Sequence, residues 1–369
     1  MSIPHSVFDE TLKAFFSPIV PLLERDGVSE IMINGHEKIY IEENGQLRLT
    51  NRRFDSEHAL MSALRNLSQY VGRELNIDKP ILEARLPDGS RVEAIIPPTS
   101  RVPVVSIRRF SSVQLTVERM VDLGALSESA AALLCVLVAS KQNIIVAGGA
   151  GSGKTSVLNV LASFIGRDER VVVIEDSTEL QLPLPHVVQL EAQPPDIRGR
   201  GAVTIRDLFR ATLRMRPDRI VIGEIRGGES LDLIQAMISG HPGCLSTVHA
   251  TYPIDTLNRL ETMALMSDVD IPQQALRAQV ASAVDIIVQT SRMPDGLRCV
   301  THITEVVGYG SDGGYQLGDL FVRDYRKRSS DGRVGSVLAH TGRLPRSQAL
   351  MQAAGLDLPS SLTQHEDEG

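Results

Sequence analysis

The sequence predicts an α/β protein in two parts, a small α+β N-terminal domain and a larger domain built on a mostly parallel sheet. Three observations predict it. Residues 1–110 carry short alternating strands beside turn residues. From Asn143 onward, buried-type strands alternate with helical segments, the grammar of a parallel sheet covered on both faces. The length of 369 residues suits about two domains.

In chain order, helical spacing runs through Phe8, Leu12, Phe15, Phe16 and Ile19. Residues 30–34 and 38–42 alternate beside Asn34-Gly35 and Asn44-Gly45, which predicts a hairpin-like meander. Leu60, Leu64, Leu67 and Val71 form a helical stripe closed by Gly72. Residues 91–96 and 102–108 complete an antiparallel sheet, so 1–110 reads as a domain and 111–126 as a linker. Ser127 then caps an apolar helix to Ala139, with Cys135 expected in its core face. Strands at 143–147, 171–175, 220–223, 244–249 and 285–289 define a second domain over 127–310. Residues 311–369 read as a C-terminal extension rich in Gly, Ser and Arg. Its 323–346 stretch carries seven Arg or Lys against two Asp, a solvated and partly flexible segment or else a docking patch for an acidic partner.

Composition removes several classes. A 42% hydrophobic chain is not disordered. Three cysteines exclude a disulfide scaffold and fit a reducing compartment. The net charge of −7 gives no global field for nucleic acid, and 4% aromatics without Trp leave few stacking platforms. The longest apolar run, 130–139, falls short of the ~18 residues a membrane span needs. The N-terminus lacks a basic start followed by an apolar block, so the expectation is a cytoplasmic protein that meets a membrane through partners.

The chemistry begins at residues 148–155, Gly-Gly-Ala-Gly-Ser-Gly-Lys-Thr, the complete G-x-x-x-x-G-K-[ST] pattern. An apolar strand precedes it and a helical stretch follows. Glycines let backbone N–H groups curl around phosphate oxygens, and the helix N-terminus adds positive potential. Gly148, Gly149, Ala150, Gly151, Ser152, Gly153, Lys154, Thr155 and Ser156 are therefore the nucleotide-binding candidates. Lys154 is expected to reach the β- and γ-phosphates of ATP and Thr155 to ligate Mg²⁺.

Hydrolysis further needs carboxylates and a group that orients water. Two apolar strands stop at acids: 171–175 at Glu175, followed by Asp176 and Glu179, and 219–222 shortly before Glu224. Strand C-terminal ends gather beside a phosphate loop in an open parallel sheet. Glu224 is assigned to water, and Glu175, Asp176 and Glu179 to Mg²⁺ through water, with Thr155 and Glu224 completing the metal set. Gly223 stands where Asp is usual. His249 ends the next strand, where a neutral imidazole suits the γ-phosphate or Glu224. His241, Cys244 and His249 have the wrong spacing for zinc and no fourth ligand.

These motifs in their order, GGAGSGKT, IEDSTELQL, LRMRPDRIVIGEIRGGE and GHPGCLSTVHAT, resemble the secretion ATPase superfamily of type II and type IV secretion and type IV pili. LPDGSRVEAIIPP at 86–98, THITEVVG at 301–308 and AAGLDLPSSL look like its tight-adherence (Flp-type) pilus branch, with the VirB-class type IV secretion ATPases as close cousins. The His box carries Cys244 and Thr251 where this branch more often shows Ser and Asn. The resemblance implies a RecA-like ATPase domain, a homohexameric ring, nucleotide at the junction of the two domains, and an inner-membrane platform protein as partner. It also implies arginines reaching the γ-phosphate from the N-terminal domain. By motif these are Arg91 and Arg108, with Arg101 and Arg109 open as neighbours. Arg214, Arg216 and Arg226 are expected either in the active site or between subunits. A nucleic-acid motor and a non-hydrolysing nucleotide-binding scaffold are the alternatives.

Overall fold

The computed structural model describes residues 13–43, 45–109, 115–195, 199–310, 313–328 and 334–363. The chain forms two compact units, Met1–Val113 with Pro195–Gly201 and Gln114–Pro194 with Ala202–Gly369.

The first unit holds a six-stranded antiparallel sheet in the order β3-β2-β1-β6-β5-β4. Its strands are β1 (Val28–Asn34), β2 (Lys38–Glu43), β3 (Gln46–Leu49), β4 (Ile81–Arg85), β5 (Arg91–Ile95) and β6 (Val104–Arg108). β3 and β4 were not legible in the sequence: β3 exposes all four of its residues, so it carries no alternation. Helix α2 (Glu57–Tyr70), capped where Ser56 accepts from the Ala59 N–H, presents Leu60, Ala63, Leu64 and Leu67 to the core. Helix α1 (Val20–Leu23) is short, with Phe16 and Ile19 buried just ahead of it. Phe8 and Leu12 lie outside the described residues.

The second unit is built on a nine-stranded sheet, β15-β14-β13-β12-β7-β11-β10-β8-β9. The parallel strands are β7 (Ile144–Gly148), β8 (Val171–Glu175), β9 (Val187–Glu191), β10 (Arg219–Ile222), β11 (Leu245–Val248) and β12 (Ile286–Arg292). Both faces of the central strands are buried, which explains why they read as unbroken apolar runs. Residues 115–126 are more than connection: Thr116 caps α3 (Val117–Asp122), and Ala125 and Leu126 are buried. Helix α4 (Glu128–Ala139) starts after Ser127 as predicted, but Ser127 makes no side-chain capping bond. Cys135 is exposed rather than in the core. It shares the outer stripe 128, 132, 135 and 139 of a helix whose buried set is Ala130, Ala131, Leu133, Leu134, Leu137 and Val138. Helices α5 (Lys154–Ser163), α6 (Ile205–Thr212), α7 (Glu229–Ile238), α8 (Pro253–Leu265) and α9 (Gln273–Ala283) alternate with the strands.

The C-terminal segment departs from its reading as a solvated extension. β13 (Arg298–Tyr309), β14 (Tyr315–Arg328) and β15 (Val334–His340) extend the sheet antiparallel, and Phe321 and Leu338 enter its core. Helices α10 (Gln348–Ala353) and α11 (Ser360–Thr363) follow. Its arginines are partly spent in structure. Arg323 is buried and donates to the carbonyls of Val300, Gly124 and Ala125. Arg343 pairs with Glu305 at 3.2 Å. Among the described residues, no helix is long and apolar enough to cross a membrane.

Candidate functional site

The site grows from the C-terminal ends of β7, β8, β10 and β11, adjacent strands of one parallel array. After β7 the backbone turns through Gly151 (φ +66°) and Gly153 (φ +94°), conformations that a residue with a Cβ resists, and enters α5 at Lys154. Gly148 is required for room: a Cβ there would stand 2.7 Å from the Thr290 carbonyl oxygen and would strike the Thr290 and Ser152 hydroxyls. Ser152 Oγ is 2.8 Å from Thr290 Oγ1 and donates to the Gly149 carbonyl at 2.9 Å. The loop is thus pinned from the neighbouring strand β12.

Lys154 is buried, and its ammonium donates to the carbonyls of Gly148 (3.2 Å) and Gly149 (3.0 Å). It also lies 3.3 Å from His249 Nδ1. An ammonium has only protons to offer, so Nδ1 is the acceptor and the ring carries its proton on Nε2. Burial, followed by the Lys154 charge, holds His249 below the usual histidine pKa. Nε2 stands 2.7 Å from Glu224 Oε1, a buried oxygen that accepts no hydrogen bond among the described residues. Glu224 Oε2 accepts from Arg226 at 2.7 Å, and the same guanidinium reaches Asp176 at 3.2 Å. Lys154, His249, Glu224, Arg226 and Asp176 therefore form one chain of charged and polar contacts across the ends of four strands.

A second branch serves the metal candidates. Glu175 is buried, and its Oε1 accepts from the N–H groups of Glu179 (2.9 Å) and Leu180 (3.0 Å). Its carboxylate fixes the turn that carries Glu179. Glu179 Oε2 in turn meets the Thr155 hydroxyl at 3.4 Å. A hydroxyl and a carboxylate converging at the start of α5 are the oxygen donors Mg²⁺ takes. Gly223 lies against the same side chain: a Cβ at 223 would stand 3.0 Å from Glu175 Cγ, a tight contact that disfavours the usual Asp.

Arg91 and Arg108 belong to the first unit, at the start of β5 and the end of β6, where they are direct cross-strand partners. Arg109 is tied down in the same sheet, donating to the carbonyls of Arg25 and Val28. Arg101 lies in the turn before β6 and is exposed. Arg214 and Arg216 are exposed beyond α6. Among the described residues of the second motif, Arg226 is the arginine that contacts site carboxylates, Glu224 and Asp176. Cys244 is buried and its thiol is pushed up to about 12 by burial, its Sγ turned to the His241 carbonyl. Thr290 and Gln289 are the residues that sequence reasoning missed. The available signal was two polar residues closing the apolar strand IIVQT.

This fold and site define a P-loop protein of the secretion ATPase superfamily, a RecA-like domain preceded by a smaller α+β domain. The chain belongs to the type II/IV secretion system protein family, whose match spans residues 13–305. It is 33% identical over 290 residues to a putative conjugal transfer protein of Mycobacterium tuberculosis, covering 77% of this chain and 82% of that one. The type IV secretion system protein PtlH of Bordetella pertussis is 33% identical over 305 residues, covering 74% and 88%. In fold, the ADP-bound pilus retraction motor PilT matches with a TM-score of 0.54 at 18% identity, covering 96% of this chain and 89% of that one. These relatives are named for conjugal transfer and type IV secretion rather than for tight adherence.

Proposed function

We propose that this protein hydrolyses ATP with Mg²⁺ and works as a homohexameric motor on an inner-membrane secretion or pilus platform. The observation that carries the reading is the contact chain Lys154–His249–Glu224, which joins a phosphate-loop lysine to a carboxylate with one buried, unbonded oxygen. That oxygen is a hydrogen-bond acceptor suited to orienting and deprotonating an attacking water. Lys154 and the loop N–H groups bind and neutralise phosphate oxygens. His249, neutral, relays the position of the phosphates to Glu224. Thr155 and Glu179 hold Mg²⁺, which when bound neutralises charge on the phosphate oxygens. Arg91 and Arg108 are assigned to the γ-phosphate on the family resemblance, and a planar fork of donors suits that group.

Two assignments of the machine are supported differently. The conjugal-transfer and PtlH relatives favour a VirB-class type IV secretion system. The stretches 86–98, 301–308 and 353–362 favour a tight-adherence pilus. Deletion of the gene separates them: loss of DNA or protein transfer supports the first, loss of surface fibres the second. In either case the protein is cytoplasmic and held at the membrane by its platform partner, and its turnover is indifferent to added DNA or RNA.

The test is phosphate release beside size-exclusion light scattering, for wild type and Glu224→Gln. Mg²⁺-dependent turnover in a species of six subunits, lost in the variant with ATP binding kept, supports the motor. ATP binding without turnover, alone or with inner-membrane vesicles, overturns it in favour of a nucleotide-binding scaffold.

A further inference from the structure

We propose that Gln289 is a positioning residue for this reaction, and that with Thr290 it makes the end of β12 a bracket holding the phosphate loop and the His249 loop in one register. The inference rests on the ATPase reading above. In the sheet, Ala147 of β7 pairs with Gln289 of β12 on one side and with Val248 of β11 on the other. The three side chains therefore lie on one face, with the small Ala147 between the two strands. Across it the Gln289 amide reaches the chain just past His249, where Nε2 donates to the Ala250 carbonyl at 3.1 Å and the Thr251 carbonyl at 3.2 Å. Thr290 points to the opposite face. There it donates to the Ala147 carbonyl at 3.0 Å and meets Ser152 Oγ of the phosphate loop at 2.8 Å. Successive residues of one strand thus grip, from opposite faces, the two loops that carry His249 and Lys154.

Burial supports a role beyond filling space. Gln289 is 3% exposed, and its Oε1 is buried with no hydrogen-bond partner among the described residues. A buried unsatisfied acceptor costs stability that an apolar side chain of the same length would not. A Met at 289 has the same length and removes that acceptor. What Met cannot supply is the pair of donors that fixes carbonyls 250 and 251. Those carbonyls follow directly on the ring that bridges Lys154 and Glu224, so a shift of the loop moves His249 off one partner or the other.

The experiment compares wild type, Gln289→Met, Gln289→Asn and Thr290→Val. Binding is read with a fluorescent ATP analogue, turnover by phosphate release, and folding by thermal melting. Gln289→Met is expected to melt at or above the wild-type temperature, to bind the analogue within about twofold, and to lose kcat by about tenfold or more, the scale of a small misplacement of a reacting group. Gln289→Asn keeps an amide that is one methylene short, and is expected to lose kcat in the same way should the Met variant fail to fold. Thr290→Val is expected to weaken analogue binding by about fivefold, the loss of one hydrogen bond. Wild-type kcat in both Gln289 variants overturns the inference. So does a loss of kcat matched by an equal loss of affinity and melting temperature, the mark of a merely structural residue. Wild type without turnover sinks the ATPase reading as well, whereas normal wild-type turnover with unchanged Gln289 variants sinks this inference alone.

Discussion

Lys154 Nζ stands 3.3 Å from His249 Nδ1, so the phosphate-loop ammonium and the imidazole one strand away share a proton contact with a fixed direction. The donor is the lysine, which requires a neutral ring. Burial and then the Lys154 charge depress the ring's pKa. Turnover that needs this neutral ring is present above the folded pKa and lost as pH falls through it. Because that pKa lies below the ordinary value of about 6.5, kcat should hold down through about pH 6.5 and fall only below it. Stability has the same sign: below about 6.5 the unfolded chain takes the proton more readily, so this contribution fades on acidification. A kcat profile from pH 5 to 8 checks it, and an acid midpoint above 7 would contradict the assigned tautomer. His249→Ala should lower kcat by about 10²-fold with the acid limb abolished.

Thr155 and Glu179 meet at 3.4 Å at the start of α5. If they hold Mg²⁺, Glu179→Gln should raise the Mg²⁺ concentration for half-maximal turnover by about tenfold, because one charged oxygen donor is lost. Thr155→Val should act in the same direction. ATP analogue binding without metal should be unchanged in both. Titration of turnover against Mg²⁺ decides it: an unchanged midpoint in Glu179→Gln would move the metal role to Asp176.

How far the sequence reached depends on whether a role sits within one motif or across several strands. The phosphate loop was legible because eight consecutive residues encode it, and Glu175, Glu224 and His249 because each closes an apolar strand. The strand order was not, and with it went the finding that β12 lies beside β7, which alone makes Gln289 and Thr290 relevant. β14 was missed because its polar residues break the alternation, and some of them, such as Arg323, are buried against carbonyls rather than solvated. Cys135 was misplaced because a helix apolar on most faces hides which one turns outward. The contact of Arg226 with both Glu224 and Asp176 joins two strand ends, so neither motif alone contains it.

Gly223 lies so close to Glu175 that a Cβ there would stand 3.0 Å from Glu175 Cγ. Restoring the usual residue should therefore harm. Gly223→Asp sets a Cβ against Glu175 Cγ and a second carboxylate beside the first. The expected cost is about 1–3 kcal/mol in urea denaturation. Turnover should fall as well, because Glu175 also fixes the Glu179 turn. Gly223→Asp with wild-type stability and kcat would show that Glu175 can swing away freely.

Arg91 and Arg108 face each other across β5 and β6. Like charges directly opposite on a sheet are destabilising, by about 0.2–1 kcal/mol on the scale of cross-strand pairs. Removing Arg108 should leave the fold intact or slightly firmer. If the pair serves the γ-phosphate, Arg108→Gln and Arg91→Gln should each lower kcat by about 10³-fold, the scale of an arginine finger, with Arg108→Gln at an unchanged or raised melting temperature. Full turnover in either variant would return that arginine to the surface of its sheet.

Arg219 opens β10 with its side chain fully buried and bonded on every side. Nε and Nη2 donate to Glu169 at 2.7 and 3.2 Å, and Nη2 to the Val138 carbonyl at 2.7 Å. Gly243 gives way to it, since a Cβ there would overlap the guanidinium. Burial works against the Glu169 charge, but the hydrogen bonds and charges of Arg219 and Lys141 win and hold its carboxyl below the usual glutamate range. Removing the acid strands a buried cation, so Glu169→Ala should cost about 3–5 kcal/mol. Lys141→Ala removes only a half-exposed partner and should cost about 1 kcal/mol or less. Because the folded pKa is depressed, the Glu169 contribution is present above about pH 4.3 and lost as pH falls through the folded value. Urea denaturation of wild type and Glu169→Ala across that range should therefore converge on acidification, and a gap that stays constant with pH would mean that the loss is packing rather than charge.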